Sequence, residues 1–99
     1  METLNNNGSG KILVANQTQS VRDANPARTW ALFQNCSEIA RMRLGVGVAA
    51  STEGGSLIVE PGGSRVFNAG TPDVVLQGAF HVLGSDVGAP YTFLEVIDE

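Results

Sequence analysis

The sequence predicts an all-β fold, a small antiparallel β-sandwich or barrel of about seven strands with an extended N-terminal arm. Two observations lead to this prediction. Apolar side chains alternate with polar residues or glycines along several short runs, and a period of two is typical of strands. Corners that contain glycine or proline separate these runs. The chain of 99 residues is long enough for one domain of this kind.

The first 27 residues differ in composition from the rest of the chain. They begin with the Asn- and Gly-rich METLNNNGSGK, and they end in a polar stretch whose Pro26 disfavours regular structure. Between these parts, KILVAN at residues 11–16 is expected to form a short strand. We therefore predict an arm with one strand over residues 1–27 and a β-sandwich domain over residues 28–99.

Six further strands are predicted in the domain. The first of them carries apolar side chains on both faces, which is typical of a strand covered on both sides. The second has the clearest alternation, with Met42 and Leu44 on one face and Arg41 and Arg43 on the other. The predicted strands span residues 28–36, 39–48, 56–60, 64–68, 74–83 and 91–97.

Two corners in the middle of the chain have explicit turn chemistry. Glu53-Gly54-Gly55 allows the positive φ of a tight turn. Pro61-Gly62 matches the two central positions of a type II turn, because proline sets the first φ and glycine accepts a positive second φ. These corners predict that the strands between residues 39 and 68 form a three-strand meander.

Composition and motifs argue against most kinds of chemistry. The net charge is −4 and the six Lys and Arg residues are dispersed, which disfavours nucleic-acid binding, and no apolar run has the ~18–20 residues of a membrane span. A secretory signal is not evident. Cys36 is the single cysteine and is expected to be mostly buried at a strand end, and His81 is the single histidine. We expect no metal site, no cofactor, no catalytic residues and no enzymatic activity.

Binding to other proteins fits the composition better. Charged residues make up 16% of the chain, against the about 25% usual for soluble domains, and a core of this size is thin. Trp30 is expected to anchor the core, or else to stack on a sugar or fill a partner's pocket. Arg41 and Arg43 point the same way, and they are either a solvated face or a patch for an acidic partner. The candidate interface residues are Lys11, Val14, Asn16, Arg41 and Arg43.

Four segments of the chain suggest a family. In order they are NPARTWALFQNCSE, LGVGVAAS, LIVEPGGSRVF and the closing FLEVIDE. This order resembles small accessory structural proteins of tailed bacteriophage virions, in which an arginine-led strand ends in Q-N-x-S and is followed by a glycine strand, a PGGS turn and a final strand ending in an acid. The resemblance covers residues 25–99 and concerns strand and turn chemistry, so it transfers no functional residue.

The resemblance implies a protein of the virion surface that is assembled in the cytoplasm of the host bacterium. Such a protein would be a capsid decoration or cement protein that binds the major capsid protein from outside and stabilises the shell, as a homo-oligomer, either a trimer or a dimer. A head-fibre base, a tail component or a host-surface carbohydrate-binding module is the alternative function, and a small enzyme is a more remote one.

Overall fold

The computed structural model describes residues 1–98 and confirms the predicted all-β class with two antiparallel sheets. Nine strands and one short helix make up the described chain, two strands more than the sequence predicts. The elements are β1 (Glu2–Asn5), β2 (Gly10–Lys11), β3 (Gln19–Arg22), β4 (Arg28–Asn35), β5 (Met42–Val46), β6 (Leu57–Val59), β7 (Ser64–Phe67), α1 (Asp73–Leu76), β8 (Phe80–Gly84) and β9 (Pro90–Asp98).

The two sheets, here called sheet A and sheet B, are built around their longest strands. Sheet A has the order β1-β9-β4-β7, and β2 also pairs with β9. Sheet B has the order β3-β8-β5-β6. The central pair of sheet A, β4 with β9, runs in register from Trp30 opposite Val96 to Asn35 opposite Tyr91. Because β9 pairs with both β1 and β4, the first and the last strand of the described chain are held in sheet A.

Both sheets contribute side chains to one core. Its centre is aromatic: Phe80 of sheet B lies 5.2 Å from Phe67 and 4.9 Å from Phe93 of sheet A, measured between ring centroids. Met42 and Leu44 are fully buried beside them, as the alternation along β5 predicts. Each such side chain contributes about 1.5–3 kcal/mol by leaving water.

The N-terminal 27 residues contain three strands, so the prediction of one strand there is wrong in number. β1 and β2 pair with β9, and β3 pairs with β8. The strand predicted at 11–16 ends at Lys11, because the next residue, Ile12, is buried and exchanges backbone hydrogen bonds with the loop at Gly88 and Ala89. Val21 of β3 is also buried in the common core.

The predicted meander is wrong, because β6 and β7 lie in different sheets. β6 pairs with β5 in sheet B, and β7 pairs with β4 in sheet A. The Pro61-Gly62 corner between them has the expected turn, with φ of +75° at Gly62 and a Gly63 N–H to Glu60 O bond of 2.8 Å. Buried Asn35 ties this corner to the end of β4, since its Nδ2 donates to the carbonyls of Ala40 and Val59.

The strand predicted over 74–83 begins six residues late, at Phe80. Pro72 precedes a single helical turn, and its carbonyl accepts hydrogen bonds from the N–H groups of Val75 and Leu76. Pro72 is the N-cap residue, and a proline is tolerated there because the first backbone N–H groups of a helix have no partner within the helix. Val74 therefore lies in this helical turn instead of in a strand, and it is 82% exposed.

The fold buries an ionic cluster that the sequence pattern does not reveal. Glu95 is 0% exposed and its two carboxylate oxygens accept hydrogen bonds from two arginines, at 2.9 Å from Arg28 Nε and 2.6 Å from Arg22 Nε. Arg28 is 1% exposed. Its other guanidinium nitrogens donate to the carbonyls of Leu76, Gly78 and Asp23. All three guanidinium nitrogens of Arg28 thus donate hydrogen bonds, as a buried charged group requires.

Two β-bulges direct these arginines toward Glu95. In β4 the register with β9 shifts between Arg28 and Trp30, and in β3 the register with β8 shifts between Ser20 and Arg22. A bulge places two residues opposite one and so re-aims the side chains beyond it. Arg28 consequently lies on the core side of sheet A, although it has the same parity as the outward Trp30.

Replacing Glu95 with glutamine should lower the free energy of unfolding by about 3–5 kcal/mol, because it leaves the buried guanidinium of Arg28 without a counter-charge. Urea denaturation followed by circular dichroism measures this. The control is Glu60→Gln, which removes the exposed pair of Glu60 with Arg41 and should cost less than about 1 kcal/mol. Equal losses in the two variants would contradict a structural role for the buried cluster.

Candidate functional site

The outward side of sheet A is apolar across four strands. Its residues form two rows of directly opposed side chains: Leu4, Val96 and Trp30 in one row, and Leu94, Leu32 and Val66 in the next. Opposed residues of an antiparallel sheet point to the same side, so these six side chains make one continuous surface. We call the surface formed by these six side chains the apolar face: Leu4, Trp30, Leu32, Val66, Leu94 and Val96.

No other described part of the chain covers the apolar face. Leu4 is 62% and Val66 49% exposed, and the four residues on the central strands are partly exposed. This corrects two expectations: β4 is apolar on both sides but is covered on one, and Trp30 lies on the outward surface. An antiparallel sheet that faces water normally carries polar residues there. An apolar surface on such a sheet indicates a site for another molecule.

The two ends of the apolar face differ in charge. At one end lie the uncharged polar residues Thr92 and Gln34, which are opposed in register, and the thiol of Cys36, whose Sγ is 3.3 Å from Thr92 Oγ1. Cys36 is therefore exposed, against the prediction of burial, because Asn35 takes the inward position before it. At the other end Glu2 and Asp98 oppose each other in register.

The outward side of sheet B is partly covered by the chain itself. Residues 47–56 fold back over β5, with the N–H of Ala50 donating to Thr18 Oγ1 at 3.0 Å. The covering loop approaches so closely that a Cβ on Gly45 would lie 2.5 Å from the carbonyl oxygen of Val48. Gly45 is therefore required by packing, and the loop leaves only part of this side open.

A basic cleft remains open beside the covering loop. It has a volume of about 210 Å³ and brings together three of the five predicted interface residues, Asn16, Arg41 and Arg43. Thr52, Leu83 and Ser85 complete its lining. Asn16 adopts a positive φ of 59°, and its N–H donates to the carbonyl of Gly84 at 2.7 Å, which holds the end of the arm segment against β8.

The two arginines of the basic cleft are differently engaged. Arg41 makes an exposed ion pair with Glu60, at 3.1 Å between Nη2 and Oε1. Arg43 is half-buried in β5, between Ile58 and Leu83 in the sheet register. Its guanidinium forms no ion pair or hydrogen bond with any of residues 1–98. Its guanidinium is available to an acidic group, for which its planar donors are suited.

The other two predicted interface residues lie outside the basic cleft. Lys11 belongs to β2 at the edge of sheet A, opposite Pro90, and its carbonyl accepts from Gln19 Nε2. Val14 is an exposed residue of the loop between β2 and β3. Sequence reasoning did not identify the apolar face, although the apolar residues at alternate positions of β4 and β9 were visible.

Neither a cluster of metal-ligating side chains nor a membrane-spanning helix is found among the described residues. His81 lies on sheet B opposite Ser20 and Gly45, away from the basic cleft. Within residues 1–98, no three His, Cys, Asp or Glu side chains are grouped as metal ligands would be. The one helix in this part of the chain is too short to cross a bilayer.

Comparison of the chain with protein-family models, with curated proteins and with solved structures gives no match in any of the three.

Substitutions at two neighbouring residues of β4, the outward Leu32 and the inward Phe33, should have different effects on stability. Leu32→Thr should change the free energy of unfolding by less than about 1 kcal/mol, because the outward side chain packs on one flank only. Phe33→Ala should lower it by about 3–5 kcal/mol, because the inward ring is fully buried. Urea denaturation at low protein concentration measures both. A loss for Leu32→Thr as large as that for Phe33→Ala would show that the apolar face is packed within the single chain.

Proposed function

We propose that this protein is a non-enzymatic structural protein of a tailed-phage virion, a decoration or cement protein that binds the outside of the capsid and stabilises the shell. One observation carries the adhesive part of the proposal: the chain presents two open surfaces of different chemistry, the apolar face and the basic cleft, which face away from a common core. The viral part rests on the resemblance of residues 25–99 to accessory virion proteins.

Two separate surfaces suit a cement because it must hold more than one neighbour at once. Contacts made by one molecule to several shell subunits, or to the shell and to other copies, raise the effective concentration of each later contact. A charge fraction of 16% limits the desolvation cost when such a molecule is packed against others.

The basic cleft supplies the contact that we assign to the major capsid protein. The chain has a net charge of −4, so the basic cleft is positively charged on a protein that is negatively charged as a whole. The guanidinium of Arg43 lacks a partner within the described chain, and an acidic side chain entering the cleft would meet it together with the polar groups of Thr52, Ser85 and Asn16. Arginine paired in this way gives orientation as well as attraction.

The decoration role fits the aromatic residues better than a carbohydrate-binding role in the tail does. Sugar platforms use several exposed aromatic rings. Trp30 is the one aromatic residue on the apolar face, and the other five, Phe33, Phe67, Phe80, Tyr91 and Phe93, are buried. The structure offers less support for an enzyme, since His81 does not line the basic cleft.

Co-sedimentation with emptied capsids of the phage that encodes the protein tests the proposal. We expect the protein to pellet with heads, and we expect Arg43→Glu to weaken this binding about tenfold or more, because it places a carboxylate where the acidic partner would lie. Binding should also weaken as salt is raised, since the contact is partly ionic.

Arg65→Glu is the matched control for charge. Arg65 is exposed, donates to the carbonyl of Ile58 and lies outside the basic cleft, so this variant should bind heads like the parent. A parent protein that ignores heads but is found in purified tails would overturn the decoration role. Equal weakening by the two substitutions would remove the basic cleft from the contact.

A further inference from the structure

We infer that the apolar face binds a second copy of this chain, so that two molecules associate face to face through sheet A about a twofold axis. The inference concerns the surface turned away from the basic cleft, and it holds whether or not that cleft meets a capsid.

The composition of the apolar face favours a second copy over an unrelated partner. Interfaces between separately folded proteins are about as polar as the rest of the surface, whereas homodimer interfaces are more apolar. All six side chains in the two rows are apolar and none is charged. They are Trp30 and five leucine or valine side chains that pack well against copies of themselves, because a twofold interface brings a surface against itself.

The size of the apolar face matches the centre of a dimer interface. Four strands spaced ~4.8 Å apart and two rows ~7 Å apart give a surface of roughly 19 by 14 Å, or about 270 Å². A stable interface buries about 800 Å² on each partner, with an apolar centre and a polar rim. The polar side chains of Gln34, Ser64 and Thr92 in the next row are placed to form such a rim.

The charges at the ends of the apolar face determine the orientation. Glu2 and Asp98 lie together at one end, where the N-terminal ammonium of Met1 pairs with Asp98 at 3.3 Å and offsets one of the two negative charges. Gln34 and Thr92 at the other end carry no charge. If the twofold axis ran along the strands, the acidic ends of the two copies would meet in a chain that is already at −4. An axis across the strands instead sets each acidic end against the Gln34 and Thr92 end of its partner, beside which the exposed Lys11 lies opposite Pro90. We assign this antiparallel orientation to the dimer.

Sedimentation equilibrium and the fluorescence of Trp30, the only tryptophan, test the association together. From about 1 μM to about 500 μM, a range suited to an interface with a small apolar centre, the mass should rise from monomer toward dimer and the Trp30 emission should shift to the blue. Leu32→Lys, at the middle of the face, should abolish both changes. Val66→Lys on the edge strand β7 is a second variant that perturbs the monomer less and should weaken dimerisation at least tenfold.

Val74→Lys is the control, because Val74 is as apolar but lies off the face and is 82% exposed. It should dimerise like the parent. A parent that remains monomeric at every concentration, or a dimer that survives in Leu32→Lys and Val66→Lys variants whose circular dichroism is unchanged, would overturn the inference.

Cys36, the only cysteine, reports the orientation. It lies four residues from Leu32 along β4, or about 13 Å, so antiparallel copies place their two thiols about 26 Å apart along the strands. Spin labels on Cys36 should give an intermolecular distance of roughly 25–35 Å, once the stacking distance of two sheets and the label arms are included. A distance below about 15 Å would overturn the antiparallel orientation, since parallel copies would bring the labels to the same end.

Discussion

The structure depends on one carboxylate that is removed from water. Glu95 of β9 is held by Arg28 of β4 and Arg22 of β3, so this single side chain connects the centre of sheet A to the edge of sheet B. Arg28 extends the network to the carbonyls of Leu76 and Gly78 in the segment that leads into β8. Its guanidinium also stacks over Phe80, 5.1 Å from the ring centroid. Such a cluster costs desolvation and is tolerated only when every donor and acceptor is satisfied, and among residues 1–98 no buried side-chain nitrogen or oxygen lacks a partner.

The buried cluster and the apolar face have a common structural origin. The bulge at Arg28 and Thr29 turns Arg28 into the core and leaves Trp30, two positions later, on the outward side. From there β4 and β9 proceed in strict register, with Phe33 opposite Phe93 inward and Leu32 opposite Leu94 outward. The residues that face out are as apolar as many that face in. The loop at residues 47–56 covers part of the outward side of sheet B near Gly45, whereas the outward side of sheet A stays exposed.

The sequence predicted the parts of the fold that local chemistry controls. The alternation along β5 and the Pro61-Gly62 turn follow from side-chain period and backbone φ, and the structure confirms both. The strands β1 and β3 were missed because their residues are mostly polar and become strands only by pairing with β9 and β8. A bulge shifts which side of the sheet the following residues face, and the sequence pattern does not show it. The positions of Arg22 and Arg28 beside Glu95 could therefore not be predicted. Arg41 and Arg43 were placed on one side by their spacing, but their meeting with Asn16 depends on the fold around Gly84.

These features describe a small sheet protein with a buried ionic cluster between its two sheets and two open surfaces of different chemistry. The central claim is that the protein lies on the outside of the capsid. An image of the assembled virion at a resolution that traces strands tests it most directly. The account predicts density for this chain on the outside of the head, with the basic cleft against the shell and sheet A turned to a neighbouring copy. Heads that lack such density, with the chain found elsewhere in the particle or in none of it, would contradict the account.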